Sequence, residues 1–134
     1  MVSLLRGVVQ RGTAVRASRM NWPLAGKTGT MDDYTDAWFV GFDPDITVGV
    51  WVGNDEKITL GDGEEGASVA LPIWIDFMNA YIDGRNAPEG FSAPTNIVFR
   101  SVEPLSGKLT EPWSTGAIQE AFISGTEPGA NIFE

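Results

Sequence analysis

The chain contains neither cysteine nor histidine. Without cysteine it forms no disulfide bond, and its sequence gives no indication of a redox compartment. Without either residue, the usual thiolate and imidazole ligands of zinc are missing, and no catalytic triad that depends on histidine can be built. Two large classes of catalytic site are therefore excluded.

Long apolar runs are also absent. No stretch of about 18 apolar residues occurs that could span a bilayer, so we expect no membrane span in this chain. The segment from Met1 to Leu5 leads directly into Arg6, without the long apolar region and cleavage site of a signal peptide. With 134 residues, of which 43% are hydrophobic and 20% charged, the chain has the size and composition of one ordinary globular domain.

Basic residues are scarce, since nine Lys and Arg stand against 18 Asp and Glu and give a formal net charge of −9. This balance argues against a nucleic-acid partner, because phosphate binding requires a positive field. The first 30 residues differ, with five cations and no acid. That excess would suit a small anionic ligand near Lys27, but we expect the four arginines to lie on the solvated face of a helix, as charge runs usually do. They are Arg6, Arg11, Arg16 and Arg19.

The beginning of the chain has the pattern of an amphipathic helix. Met1, Leu4, Leu5 and Val8 recur at the i, i+3, i+4, i+7 spacing of one helical face. Gly12 is predicted to end this helix in a left-handed conformation.

Three strands are expected next. Residues 24–30 are too rich in glycine for a strong intrinsic strand propensity and are assigned by context. Residues 36–42 and 46–53 are apolar strands, and the turn at residues 43–45 joins them into an antiparallel hairpin. Because apolar residues occupy both faces of this hairpin, we expect the sheet to be covered on both sides.

A polar loop and a second helix follow. Residues 54–66 hold five acids among glycines without the spacing of an EF-hand, so we predict no metal site there. Ser68 is the predicted N-cap of an apolar helix that ends near Ile82, with Pro72 in its first turn, where proline is tolerated. We expect this helix to be buried against the hairpin.

The character of the sequence changes after Pro88. Residues 97–102 are predicted to form a short strand, and residues 105–109 a turn that enters another strand. Beyond Glu111 the chain is rich in Pro, Gly and Thr. We therefore divide the chain into residues 1–87 and a loosely packed extension, residues 88–134, with short strands and an irregular tail.

The Gly-Lys-Thr-Gly-Thr run at residues 26–30 is the most informative segment. A lysine ammonium, two hydroxyls and a glycine on a short strand are suited to bind a carboxylate and a developing oxyanion. Lys-Thr-Gly is one of three motifs of the serine β-lactamases and penicillin-binding proteins. The other two, Ser-x-x-Lys and Ser-x-Asn, occur nowhere in the sequence. The chain therefore carries half of such an active site.

The order of segments resembles the end of the transpeptidase domain of class A penicillin-binding proteins. A lone Lys-Thr-Gly occurs by chance in many proteins, but here the matching stretches follow one another over most of the chain. They are Gly-Val-Val-Gln-Arg-Gly-Thr-Ala at 7–14, Leu-Ala-Gly-Lys-Thr-Gly-Thr at 24–30, Asp-Ala-Trp-Phe-Val-Gly-Phe at 36–42, Val-Trp-Val-Gly at 50–53, Ala-Leu-Pro-Ile-Trp at 70–74 and Phe-Ile-Ser-Gly-Thr-Glu-Pro at 122–128.

The resemblance implies an α+β fold, an antiparallel sheet flanked by helices, of which this chain is the C-terminal portion. Residues 24–53 would supply the last three strands of the sheet and residues 68–82 its carboxy-terminal helix. The first strands, the nucleophile helix and the Ser-x-Asn loop would lie upstream of Met1, with a glycosyltransferase domain and a membrane anchor further upstream. The parent protein would act at the periplasmic or extracytoplasmic face of the cell membrane.

The resemblance also assigns roles at the edge strand. Lys27 would place a cation beside the site, favouring a substrate carboxylate and helping proton transfer. The hydroxyls of Thr28 and Thr30 would bind that carboxylate, and the backbone N–H of Thr30 would be an oxyanion donor. Gly29 would leave room for a substrate backbone along the strand. The implied partners are peptidoglycan stem peptides, β-lactams and the upstream part of the same domain, with no metal and no cofactor.

The resemblance makes the chain a fragment of a D,D-transpeptidase that is inactive alone. One alternative is a non-catalytic accessory chain that binds stem peptides or docks on a partner. A stand-alone hydrolase is disfavoured, because no serine has a lysine three or four residues later to act as base.

Several residues at or near the site also have plainer interpretations. Lys27 could be a solvated strand lysine, and Asp36 either braces residues 31–35 or serves a surface role. Trp38, Trp51 and Trp74 are expected to be core and wall residues.

Overall fold

The computed structural model describes residues 1–129 and divides the chain into two compact units, Met1–Phe91 and a second unit that begins at Ser92. Compactness alone does not assign either unit to a domain, so the predicted boundary after residue 87 stays a prediction. Among the described residues, no helix combines the length and apolarity that a membrane crossing requires.

Helix α1, Val2–Arg11, confirms the predicted helix, but it buries Gly7 and Val9, whereas Met1 and Leu4 of the predicted apolar face are exposed. The end of the helix also differs from the prediction. Gly12 is extended, with φ −114°, and the left-handed residue is Asn21, at φ 48°, after a 3-10 helix at Val15–Met20. Glycine is needed at position 12 for another reason: a Cβ there would lie 2.9 Å from the Cα of Val8. The chain thus turns tightly against the helix that it leaves.

The three predicted strands form one antiparallel sheet in the order β1-β2-β3. Strand β1 is Ala25–Thr30, β2 is Asp36–Phe42 and β3 is Thr47–Gly53. The turn between β2 and β3 is held by Asp43, whose Oδ1 accepts hydrogen bonds from two backbone N–H groups, at Asp45 and Ile46. The hairpin prediction is confirmed.

The core lies on one face of this sheet. Phe39 of β2 packs edge-on against Trp74 with ring centroids 5.0 Å apart, and both side chains are fully buried. Trp74 belongs to helix α2, Leu71–Ile82, so this helix is buried against the hairpin as expected.

The expectation that the sheet is covered on both sides is wrong for the described residues. Trp38 and Trp51, which pair across β2 and β3, remain 44% and 45% exposed. Side chains alternate between the two faces of a strand, so these tryptophans point away from the Phe39 face that the helices cover. Trp38 and Trp51 therefore lie on the exposed face of the sheet, whereas Trp74 lies in the core.

The entry into α2 also differs from the prediction. A short π-helical segment, Gly66–Ala70, precedes α2, and Glu65 is its N-cap, with Ser68 at the third helical position of a reciprocal capping box. The backbone N–H of Glu65 donates to the Ser68 hydroxyl at 2.8 Å. Ser68 therefore takes part in the cap from inside the helix and is not the N-cap itself.

The second unit is built on a two-stranded antiparallel sheet of β4, Ile97–Val102, and β5, Ile118–Ile123. The partner of the predicted strand at 97–102 is thus 118–123. The segment after residue 105 contributes only a bridge between Val102 and Leu109, which corrects the prediction that it enters a strand. The last part of the predicted irregular tail, residues 130–134, lies outside the described residues.

The chain turns tightly between the end of β4 and Leu109, the bridge partner of Val102. Hydrogen bonds from the Ser106 side chain and from the backbone N–H groups of Leu105 and Ser106 hold the pKa of Glu103 below its ordinary value. Its carboxylate spans the turn, with Oε1 accepting from Leu105 and Oε2 from Ser106.

Candidate functional site

Strand β1 lies at the edge of the first sheet, so its outward-facing backbone N–H and C=O groups determine which main-chain hydrogen bonds that edge can make. Successive residues of an antiparallel strand direct their N–H and C=O groups to opposite sides. The N–H of Met31, just after β1, donates to the carbonyl of Asp36 at 3.0 Å, so odd-numbered residues here face β2. The backbone groups of Thr28 and Thr30 therefore face the open edge.

The Lys27 side chain is directed to this same edge. Its Nζ donates to the carbonyl oxygen of Thr28 at 2.9 Å and to the Thr28 hydroxyl at 3.1 Å. Lys27 is itself exposed, so its ammonium stays accessible while these two contacts fix its position. A cation is thereby held where an anion bound along β1 would meet it.

The Thr28 hydroxyl has a second neighbour that the sequence reasoning did not assign to the site. The Oγ1 atoms of Thr13 and Thr28 lie 3.2 Å apart, and either hydroxyl can donate. Thr13 follows α1 in the Arg-Gly-Thr-Ala stretch, which matched the resemblance but carried no chemical signal of its own. Only the tertiary structure brings it beside the Lys-Thr-Gly-Thr strand.

Thr30 is tied to the entry of the π-helical segment. Its Oγ1 accepts a hydrogen bond from the N–H of Gly66 at 3.2 Å. A hydroxyl that accepts one bond keeps its proton for another acceptor. Thr30 can therefore still donate from its side chain, while its backbone N–H faces the edge.

Gly66 approaches the sheet so closely that no side chain fits. A Cβ there would lie 2.3 Å from the carbonyl oxygen of Trp38 and 2.9 Å from that of Gly29.

We expect Gly66→Ala to lower the free energy of unfolding by about 1–3 kcal/mol through overpacking. The matched control is Gly49→Ala, where the nearest atom would be Cγ2 of Val40 at 3.8 Å.

Urea denaturation followed by circular dichroism measures both glycine variants. The control should change the free energy of unfolding by less than about 0.5 kcal/mol. Equal effects at the two positions would contradict the close approach of Gly66 to the sheet.

Asp36 lies at the start of β2 and acts as a brace. Its Oδ1 accepts from the indole N–H of Trp51 at 2.8 Å, and its Oδ2 accepts from the Thr35 hydroxyl at 2.9 Å. Asp36 thus secures the end of residues 31–35 and one of the exposed tryptophans. Within residues 1–129, no group of three or more acidic side chains is arranged to hold a metal ion.

The structure thus places all four predicted site residues along one open strand edge. The Lys27 ammonium, the Thr28 hydroxyl and the outward-facing backbone groups of Thr28 and Thr30 lie at this edge, and Gly29 presents no side chain to obstruct it. The Thr30 hydroxyl instead contacts the Gly66 N–H. An extended peptide can add to such an edge by main-chain hydrogen bonds, and the ammonium favours one that carries a carboxylate.

No protein-family model matches the chain. The family is instead identified by comparison with individual curated proteins and solved structures. Curated relatives include penicillin-binding protein 1A of Aquifex aeolicus, 46% identical over 127 residues, which is 95% of this chain and 17% of the relative. The same protein of Rickettsia bellii is 46% identical over 123 residues, 91% of this chain and 15% of the relative, and that of Pseudomonas aeruginosa is 40% identical over 133 residues, 98% and 16%.

The fold gives the same result. A crystal structure of penicillin-binding protein 1A from Haemophilus influenzae matches with a TM-score of 0.79 and 31% identity, over 95% of this chain and 20% of that one. The predicted α+β fold is confirmed. The chain belongs to the penicillin-binding proteins and, within them, to the penicillin-binding protein 1A family, and it spans 15–17% of the length of the curated relatives named above.

Proposed function

We propose that this chain supplies the substrate-binding edge of a penicillin-binding D,D-transpeptidase. The observation that carries the proposal is the Lys27 ammonium, held at the open edge of β1 by two hydrogen bonds to Thr28. Family membership supports the class, and the site chemistry supports this particular role. The substrate would be a peptidoglycan stem peptide, and β-lactams would bind at the same edge.

The substrate peptide is proposed to lie along β1 as an added strand. Its terminal carboxylate accepts hydrogen bonds from Lys27 and from the hydroxyls of Thr28 and Thr30. The backbone N–H of Thr30, which faces the open edge, donates to the oxyanion that forms at the reacting carbonyl. Removing one such donor typically lowers a rate about 10²–10³-fold, so the strand would contribute directly to catalysis.

The nucleophile is proposed to come from a Ser-x-x-Lys segment outside these 134 residues. That serine attacks the penultimate D-Ala carbonyl, the terminal D-Ala leaves with a proton, and an amine of a second stem peptide then displaces the serine to form the cross-link. The reaction belongs outside the cytoplasm, at the extracytoplasmic face of the cell membrane, where peptidoglycan is assembled.

Intact-mass measurement after incubation with excess penicillin tests whether the chain alone can react. We expect no adduct on a chain whose circular dichroism shows that it is folded, because no serine has a lysine three or four residues later to activate it for acylation. A stoichiometric adduct would overturn the proposal that the nucleophile lies elsewhere.

A chimera tests the contribution of the strand itself. Residues 2–129 of this chain would replace the matching segment of penicillin-binding protein 1A from Haemophilus influenzae, and labelling by a fluorescent penicillin would be measured. We expect labelling of the chimera, none of the same protein without the segment, and full labelling of the unaltered protein. A folded chimera that takes no label would contradict the proposed function.

A further inference from the structure

The Thr28 hydroxyl is placed between two side chains of different hydrogen-bonding capacity. On one side the Lys27 ammonium donates to it at 3.1 Å. On the other side lies the Thr13 hydroxyl at 3.2 Å. An ammonium can only donate, whereas a threonine hydroxyl has one proton and two lone pairs and can do both. With Lys27 in this position one acceptor position of Thr28 is filled, and Thr13 can use either the Thr28 proton or its second lone pair.

We propose that Thr13 is a positioning residue that turns the Thr28 hydroxyl into a donor toward a bound carboxylate. When a carboxylate takes the Thr28 proton, the second lone pair of Thr28 can accept the proton of Thr13. All three positions of the Thr28 hydroxyl are then used, and its proton is directed at the ligand. This inference rests on the proposed carboxylate-binding role of the β1 edge.

The backbone around Thr13 is fixed well enough for such a role. The N–H groups of both Gly12 and Ala14 donate to the carbonyl of Val8 at 3.1 Å, and the N–H of Val15 donates to Gly12 at 3.1 Å. Ala14 is fully buried, so the segment cannot swing away from α1 without exposing it. A β-branched side chain has few χ1 choices, so the Thr13 hydroxyl has few alternatives to its position 3.2 Å from the Thr28 hydroxyl.

Titration of the complete 134-residue chain with N-acetyl-D-alanyl-D-alanine tests the proposal. Binding is followed by the amide ¹⁵N–¹H shifts of Thr28 and Thr30. We expect Thr13→Val, which removes the hydroxyl and keeps the shape, to weaken binding about 5- to 10-fold, the effect of one hydrogen bond. Thr13→Ser restores the hydroxyl and should bind within about twofold of the original chain.

The same dipeptide with a carboxy-terminal amide separates positioning from a structural role. Hydrogen bonds to a charged acceptor are about twice as strong as neutral ones, so Thr13→Val should weaken binding of the acid more than of the amide. Unchanged binding of the acid in Thr13→Val, or an equal loss for acid and amide, would overturn the proposal.

A ligand-free measurement keeps the two proposals distinguishable. If the original chain binds no dipeptide, the proposed carboxylate-binding edge fails, and a double-mutant cycle still tests the contact. The urea midpoints of Thr13→Val, Thr28→Val and the double variant should be non-additive, the double shift being smaller than the sum. Additive shifts would mean that the two hydroxyls do not interact and would overturn the role of Thr13.

Discussion

Replacing Trp74 by alanine is expected to lower the free energy of unfolding of the first unit by about 3–5 kcal/mol, the range for large buried aromatic side chains. Trp74 is fully buried, packs edge-on against Phe39 with ring centroids 5.0 Å apart, and lies so close to Gly41 that a Cβ there would meet its ring at 2.5 Å. Its indole N–H also donates to the carbonyl of Val48 at 3.1 Å. The substitution would therefore leave a cavity and remove the hydrogen bond from the indole to Val48 together.

Urea denaturation followed by far-ultraviolet circular dichroism measures this change, with the slope checked for two-state behaviour. Trp113→Ala is the matched control, because the same substitution at a side chain 81% exposed removes little buried surface. The control should stay within about 0.5 kcal/mol of the original chain. A Trp74 variant no less stable than the Trp113 variant would contradict the core arrangement described above.

Local patterns were enough to predict the elements around the site. The hairpin of residues 36–53 has two apolar runs joined by Asp-Pro-Asp, and Asp43 makes the side-chain bonds to the following N–H groups that favour such a turn. The helix that ends at Ile82 is indicated by an apolar run with an early proline. Each of these signals lies within a few residues of the structure that it predicts.

Contacts between distant segments were the ones that the sequence could not predict. Whether residues 97–102 pair with 105–109 or with 118–123 depends on chain closure, and both segments contain apolar residues. Gly12 looked like a left-handed cap, but it is required by its approach to Val8. Glycine serves both purposes, so its presence alone does not tell them apart.

The residues of the candidate site also divide into those that a local pattern indicates and those that only a contact between distant segments reveals. The Lys-Thr-Gly-Thr motif indicated four candidate residues, which lie on one strand because the motif is contiguous. Thr13 stands 15 residues before Thr28, and nothing in its neighbours indicates a role at the site. Likewise, the contact between the Gly66 N–H and the Thr30 hydroxyl joins residues 36 positions apart. Such partners become visible only when α1 and the π-helical entry are placed on the sheet.

Replacing Lys27 by alanine in the chimera is expected to lower the rate of acylation by penicillin about 10- to 100-fold. The Lys27 ammonium is the cation that the structure holds beside the outward-facing groups of Thr28. A hydrogen bond to a charged group contributes about 1.5–3 kcal/mol, which corresponds to this loss in binding of the β-lactam carboxylate. The acylation rate of Lys27→Arg should lie between that of the parent chimera and that of Lys27→Ala, because a guanidinium keeps the charge but presents it in a planar fork.

Lys108→Ala is the matched control, since it removes the same charge from the second unit and should leave labelling unchanged. Because the Lys27 side chain is exposed, its removal should leave the circular dichroism and the melting of the chimera unchanged, so a slower reaction reports on the site and not on folding. Labelling of Lys27→Ala at the rate of the parent chimera would make Lys27 a solvated strand lysine. The Thr28 contacts would then be only the resting position of a surface side chain.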